Sequence, residues 1–303
     1  MWTADKWKEF RVLDASGGEK LEEWGPYRLI RPDPQVIWNT PRSGLWDQVN
    51  GHYHRSSKGG GDWEFFGLPE TWQISYEAGF GRPGNMSDPN VLTFDLKPFK
   101  FKHTGLFPEQ AANWDWFSGL ITQARKENPS RQLKVLNLFA YTGGATLAAA
   151  AAGAGVTHVD ASKGMVGWAK ENAEISGLSN APVRYFVDDC VKLVEREIRR
   201  GNKYDGIIMD PPSYGRGPKG EIWKIEDNIF PFLKLTAKLL SDDALFFLVN
   251  SYTTGLQPAV LSYMMNTAIT KHFGGHVKAD EIGLPVTESG LVLPCGASGR
   301  WEK

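Results

Sequence analysis

The chain has 303 residues, 41% apolar and 23% charged, with a formal net charge of −1. That length has room for two domains of ordinary size, and the near-neutral balance removes the bulk basic excess that by itself signals nucleic acid. Two cysteines, Cys190 and Cys295, with no Cys-x-x-Cys pair, exclude a disulfide framework, and no uncharged apolar run reaches the roughly 18 residues of a membrane span. The segment Met1–Glu9 also lacks the apolar core of a signal peptide, so a cytoplasmic protein with no membrane partner is expected.

Nine of the twelve tryptophans fall in residues 1–125, the first sign of two parts. The first part is broken by turn chemistry at Ser16-Gly-Gly18, Arg31-Pro-Asp-Pro34, Asn50-Gly51 and Asp88-Pro89. Between the turns, Trp63–Phe66, Trp72–Tyr76 and Val91–Leu96 are rich in strand formers. A helix is expected from Pro108 to about Asn128. This gives a small β-rich N-terminal domain over 1–128, a candidate for substrate recognition. His52 and His54 read as surface positions in a glycine-rich loop, and no His/Cys/carboxylate group has ligand spacing, so no metal is expected.

From residue 129 to 303 the pattern becomes strand, loop, helix. Strands are expected at Lys134–Phe139, Gly155–Asp160, Val183–Val187, Tyr204–Met209 and Ala244–Asn250. Helices are expected at Thr142–Ala152, Lys163–Gly177, Cys190–Arg200 and Asn228–Leu240, and the tail from Val277 reads as a closing β-hairpin. Strands alternating with helices predict an α/β fold: a Rossmann-like, doubly wound, mostly parallel sheet.

Such a sheet binds ligands at the carboxyl ends of its strands. Three ends carry notable residues in order. Asn137-Leu-Phe139-Ala140-Tyr141-Thr142-Gly143-Gly144 ends in two glycines that let backbone approach a ligand, yet it lacks the Gly-x-Gly-x-x-Gly of a pyrophosphate cradle. Asp160 follows about 20 residues later, where dinucleotide folds place a ribose acceptor. It serves equally as a helix cap before Ala161-Ser162. Asp188-Asp189-Cys190 ends the next strand, with a carboxylate for an exocyclic amine or for another cap.

A fourth end is the most specific string: Asp210-Pro211-Pro212-Ser213-Tyr214 after a buried strand. The prolines stop the ladder and fix the backbone. Asp210 and the neighbouring carbonyls then form a rigid set of acceptors.

Together, Asn137–Gly144, Asp160, Asp189 and Asp210-Pro-Pro-Ser resemble a class I S-adenosylmethionine-dependent methyltransferase. Phe101–Gln110, Lys170-Glu-Asn-Ala-Glu174 and Leu293–Trp301 resemble the bacterial large-subunit ribosomal RNA methyltransferases and their uncharacterised relatives. The resemblance implies S-adenosyl-L-methionine as cofactor and RNA, ribosomal RNA above all, as partner. It implies that Thr104–Gln110 folds over the cofactor, with Thr104, Phe107, Gln110 and Asn172 joining the cofactor residues, and that Asp210–Ser213 form the reacting end. Relatives that methylate cytosine carbon 5 carry a cysteine after the strand that here runs into Ser251-Tyr252-Thr253. Its absence favours a nitrogen acceptor, with Tyr214 stacking on a base and Arg216 and Lys219 holding phosphates. Methylation of a small molecule or protein side chain stays open, as does a cofactor-binding module without turnover.

Overall fold

The computed structural model describes every residue except 57–59, 83–84, 100–101, 217–219, 221 and 254, and only the backbone of 80–82 and 85–89. Its centre is an eight-stranded sheet. Seven of the strands are β1 (Lys134–Leu138), β2 (Gly155–Asp160), β3 (Val183–Val187), β4 (Gly206–Met209), β5 (Phe246–Ser251), β6 (His276–Pro285) and β7 (Val292–Glu302). The order in space is β6-β7-β5-β4-β1-β2-β3, with the short strand Trp2–Thr3 against the outer edge of β6. Strands β1 to β5 run parallel, and β7 is antiparallel to both β5 and β6.

Side chains alternate across this sheet, and each face has its own core. Val135, Ile208, Phe246 and Leu248 point to one side, and Leu136, Ile207, Phe247 and Val249 to the other. The first side is covered by α1 (Ala111–Glu127) and α2 (Gly144–Ala151), with α3 (Lys163–Ile175) alongside. The second is covered by α4 (Cys190–Arg199), α5 (Ile225–Ala237) and α6 (Pro258–Met265). Burial on both faces explains why β4 and β5 are continuous apolar runs rather than alternating ones.

The expected doubly wound α/β sheet with its C-terminal hairpin is what forms, preceded by a β-rich region. That region holds a five-stranded sheet: Phe10–Ser16, Glu19–Trp24, Tyr27–Pro32, Gly51–Arg55 and Gly61–Phe65. A long hairpin, Trp72–Arg82 with Asn85–Leu96, follows. The buried aromatics of the whole β-rich region, Trp7, Phe10, Trp24, Tyr76 and Phe94, run into Trp114 and Phe117 of α1 and through them to α2. The tail joins the same region, where Thr287 N and Glu288 N donate to Val12 O and Leu13 O. His52 and His54 stand on a strand rather than in a loop, and each ring meets a carboxylate, Glu19 and Glu64 respectively.

Alanines in α2 let it approach α1 closely, so that the Ser118 hydroxyl donates to Ala148 O at 3.2 Å. Gly144 opens α2 directly beneath Trp114, and a Cβ there would stand 2.6 Å from the indole. Gly144→Ala is therefore expected to cost about 1–3 kcal/mol through overpacking. Thermal denaturation checks this, and an unchanged midpoint would show that the indole gives way freely.

Candidate active site

The strand order reverses between β1 and β4, and the carboxyl ends of β1, β2, β3 and β4 open into one cleft. A cavity of about 350 Å³ there is lined by Phe107, Phe139, Tyr141, Asp160, Ala161, Asp189, Cys190 and Asp210-Pro-Pro-Ser213, among others. A recess of about 50 Å³ shares Phe107, Phe139, Tyr141 and Asp210 with it, and adds Gln110, Asn137, Ala140, Thr142 and Gly144.

The loop after β1 is forced into shape. Phe139 and Tyr141 take positive φ, 56° and 49°, in the left-handed region that side chains avoid. Each such residue costs on the order of 1–3 kcal/mol. The cost is met by hydrogen bonds across the cleft: Phe139 N donates to Cys190 Sγ at 3.4 Å, and Tyr141 N to Asp160 Oδ2 at 2.9 Å. Gly143, at φ 91°, then turns the chain into α2.

Asp160 thus braces the loop from the end of β2, while its Oδ1 accepts from Ser162 N at 2.8 Å. A carboxylate has about four acceptor sites, so two remain for a ligand diol. Burial pushes this carboxyl up, and the two N–H groups pull it back. Asp189 caps α4, its Oδ1 accepting from Lys192 N at 2.9 Å, and it lines the cavity as well. The capping and binding readings of Asp189 are therefore compatible, whereas α3 is capped by Ser162 and Asp160 braces the loop instead.

Asp210 closes the other side. Burial, and next the charge of Glu109, push its carboxyl up to about 7, against a hydrogen bond from Asn250. The prolines hold a fixed turn, and two of its carbonyls are already used: Pro212 O accepts from Trp223 Nε1 at 2.7 Å, and Ser213 O from Ile225 N at 3.0 Å. Asp210 lines both the cavity and the recess.

Phe107 lies over the cleft between Tyr141 and Tyr252, its ring centroid 5.4 Å and 5.7 Å from theirs. Gln110 Nε2 donates to Tyr252 Oη at 2.6 Å, and Gln110 Oε1 accepts from Asn113 and Asn250. Arg300 anchors this network by donating twice to Asn113 Oδ1.

Other sequence candidates sit outside the lining of both cavities. Thr104 is fully buried, and its hydroxyl has no partner among the described residues. Asn172 ties the loop to the long hairpin, donating to Thr142 O and accepting from Asp95 N. Ser162 caps α3, and Asp188 pairs with Arg196. Tyr214 is exposed on a short strand, Tyr214–Arg216, whose Arg216 reaches the cavity wall. Lys219 lies outside the described residues. The sequence reading passed over His103, Trp223 and Tyr252, which line the larger cavity, and the buried Glu109 beside them. For Glu109 one signal existed: it lies between Phe107 and Gln110.

This cleft fits a nucleoside with a short polar tail. Asp160 suits a diol, the wall of Asp189 and Cys190 a flat base, and the recess at Asn137 and Gly144 the tail. Among the described residues no group of His, Cys, Asp and Glu is placed to hold a metal ion, and no helix is long and apolar enough to cross a membrane.

Known proteins resemble this chain in sequence and fold. A family profile for S-adenosylmethionine-dependent methyltransferases matches residues 87–273. The solved SAM-dependent methyltransferase of Agrobacterium tumefaciens is 36% identical with a TM-score of 0.87, covering 99% of this chain and 92% of that one. SMU.776, solved with SAH, shares the fold at 20% identity and a TM-score of 0.69, covering 98% of this chain and 76% of that one. Among curated proteins, the ribosomal RNA large subunit methyltransferase K/L of Shewanella frigidimarina is 33% identical over 49% of this chain and 20% of its own length. Methyltransferase K of Neisseria meningitidis is 27% identical over 57% of this chain and 48% of its own length. The chain thus spans less than half the length of these curated relatives.

Proposed function

The chain belongs to the family of S-adenosylmethionine-dependent methyltransferases, and on that premise we propose that it methylates a nitrogen of an RNA base, the RNA being that of the large ribosomal subunit. S-adenosylmethionine is its cofactor and, when bound, supplies an activated methyl group. Asp160 and Asp189 would hold its nucleoside, and the loop Asn137–Gly144 its polar tail. Phe107 and Gln110 would cover it, and the N-terminal β-rich region would meet the substrate.

The observation that carries the nitrogen assignment is the pairing of an available acceptor with the lack of an activated thiol. Asp210 faces the cleft as a carboxyl that is about half ionised at neutral pH and ionised above it. It accepts a hydrogen bond from the acceptor N–H, turns the nitrogen lone pair toward the methyl group and takes the proton released when the N–C bond forms. Carbon-5 chemistry instead needs a thiolate. Burial pushes both thiols, Cys190 and Cys295, well up and keeps them protonated. The names of the curated relatives support ribosomal RNA as the substrate.

Mass spectrometry of large-subunit ribosomal RNA from a deletion strain tests this. One N-methylated base should be lost and return on complementation. An unchanged profile moves the acceptor to a small molecule or a protein side chain.

A further inference from the structure

Beside the cofactor cleft lies a second chamber of about 300 Å³, bounded by Lys20, Arg31, Lys102, Glu109, Tyr252 and Cys295. It shares His103, Phe107 and Tyr252 with the larger cavity, so the two spaces meet across one aromatic wall. We propose that this chamber receives the acceptor nucleobase, with Glu109 bonding to its ring edge and Lys102 holding the neighbouring phosphate. The assignment rests on the RNA reading given above.

The chamber is assembled from distant parts of the chain. Strands Glu19–Trp24 and Tyr27–Pro32 supply Lys20 and Arg31, the segment before α1 supplies Lys102 and Glu109, and β7 supplies Cys295. Its floor is a buried ion network. Arg31 Nε and Nη2 donate to Glu22 at 2.6 and 2.8 Å, and Lys20 Nζ lies 3.3 Å from Glu22 and 3.2 Å from Asp33. Buried ion pairs return little net stability, since desolvation offsets their attraction. Four charged groups in so small a sheet are better explained as the wall of a binding site.

Two groups of the chamber fall outside that balanced set. Glu109 is 5% exposed, and its side chain bonds the Tyr252 hydroxyl. Burial pushes its carboxyl up, against the pull of Lys20, Tyr252 and Arg31, and its oxygens can accept from an amine on a base edge. Its charge also acts on Asp210, which places it close to the reacting end. Lys102 Nζ donates to Pro32 O at 3.1 Å. Burial and then Lys20, Arg31 and Arg55 push its ammonium down to about 8, against the pull of Asp33. A cation crowded by cations has the most to gain from a phosphodiester arriving at the mouth.

Shape and surface select a planar ring. The His103 and Phe107 rings are 5.2 Å apart, and Tyr252 continues the wall. Burial pushes His103 down to about 4, so this wall is uncharged near neutral pH. A volume of about 300 Å³ holds one extruded base and its sugar edge, and is too small for a helix or a folded peptide.

The test uses the full chain, tritiated S-adenosylmethionine and total RNA, protein and small-molecule fractions from a deletion strain. Gln35→Trp blocks the chamber from its exposed rim, and Glu109→Gln alters the edge contact. Each is expected to lower transfer into RNA at least 100-fold while leaving calorimetric binding of S-adenosylhomocysteine within twofold. Lys102→Ala is expected to raise KM for RNA about tenfold with kcat retained, and to flatten the salt dependence. Label entering protein or small molecules in place of RNA overturns the nucleobase assignment together with the RNA reading. Label entering RNA, with Gln35→Trp and Glu109→Gln both within threefold of the unaltered protein, overturns the chamber alone.

Discussion

Asp210→Asn is expected to lower turnover by roughly 10²–10⁴-fold while leaving cofactor affinity within about twofold. The substitution keeps the volume of the side chain but adds an N–H₂ that faces the acceptor N–H, so a hydrogen-bond acceptor becomes a clash of donors. The unaltered enzyme should also show a pH limb set by this group. Its carboxyl is pushed up to about 7 by burial and by Glu109, with Asn250 opposing. Below that pH the neutral acid neither accepts the hydrogen bond well nor takes the proton, so kcat/KM should rise tenfold per pH unit and level off above about 7. The limb should vanish in Asp210→Asn. Glu109→Gln should move what activity remains to lower pH, because the charge that raises Asp210 is gone.

Stability runs the opposite way. An acid whose folded pKa lies above its unfolded value contributes stability that is complete below the unfolded value, about 3.9, and is lost as pH rises through about 7. Asp210→Asn should therefore melt higher than the unaltered protein at pH 8, and the gap should close near pH 4. A variant that turns over within tenfold of the original, or a melting difference that does not depend on pH, rules out Asp210 as the proton-accepting group.

The second part of the chain was legible because its central strands are buried on both faces and are bounded by glycine, proline or aspartate. Runs such as Ile207–Met209 and Phe246–Val249 have no competing reading at that length. The first part was harder. Lys20, Glu22 and Arg31 sit in strand positions, and Glu22 and Arg31 are buried. Charges turned inward toward one another erase the alternation of apolar and polar residues by which a half-buried strand is recognised. The same network builds the wall of the second chamber, so the feature that hid these strands is the one with functional content. Helix α5 starts at Ile225, ahead of the expected Asn228, because Asn228 Oδ1 accepts from Lys224 N and so closes the first turn from within.

Within the site, three aspartates at successive strand ends were legible because local order along the chain maps directly onto a parallel sheet. Tyr252, Trp223 and Glu109 were not. Tyr252 meets Gln110 across 142 residues, and Trp223 reaches Pro212 from the far side of a short hairpin. Neither contact leaves a local spacing to read. Asp188 and Asp189 were indistinguishable in sequence, and the helix start separates them: Asp189 takes the capping position facing the cavity and Asp188 turns to Arg196.

Asp160→Ala is expected to weaken S-adenosylhomocysteine binding by roughly 10²-fold. Hydrogen bonds to a charged group are worth about 1.5–3 kcal/mol, and two lost to a diol approach 3 kcal/mol, which is a factor of about 150. A second loss adds to this one. The same carboxylate accepts from Tyr141 N and so holds a residue at φ 49°. Without it the loop is free to relax toward negative φ and away from the ligand. The two contributions separate by comparison with Asp160→Asn, whose amide oxygen can still brace Tyr141 but whose N–H₂ cannot accept from a hydroxyl. Asparagine should therefore recover part of the melting temperature, since its N–H₂ then faces the Ser162 N–H, and little of the affinity. Asp189 supplies the contrast. Asparagine there keeps the cap on α4, while alanine forfeits about 1 kcal/mol of stability. Both should weaken binding less than any change at Asp160, since Asp189 braces no strained loop. Calorimetry decides the matter. If Asp160→Ala binds as tightly as the unaltered chain, Asp160 braces the loop and nothing more, and the cofactor must be held from the β3 side.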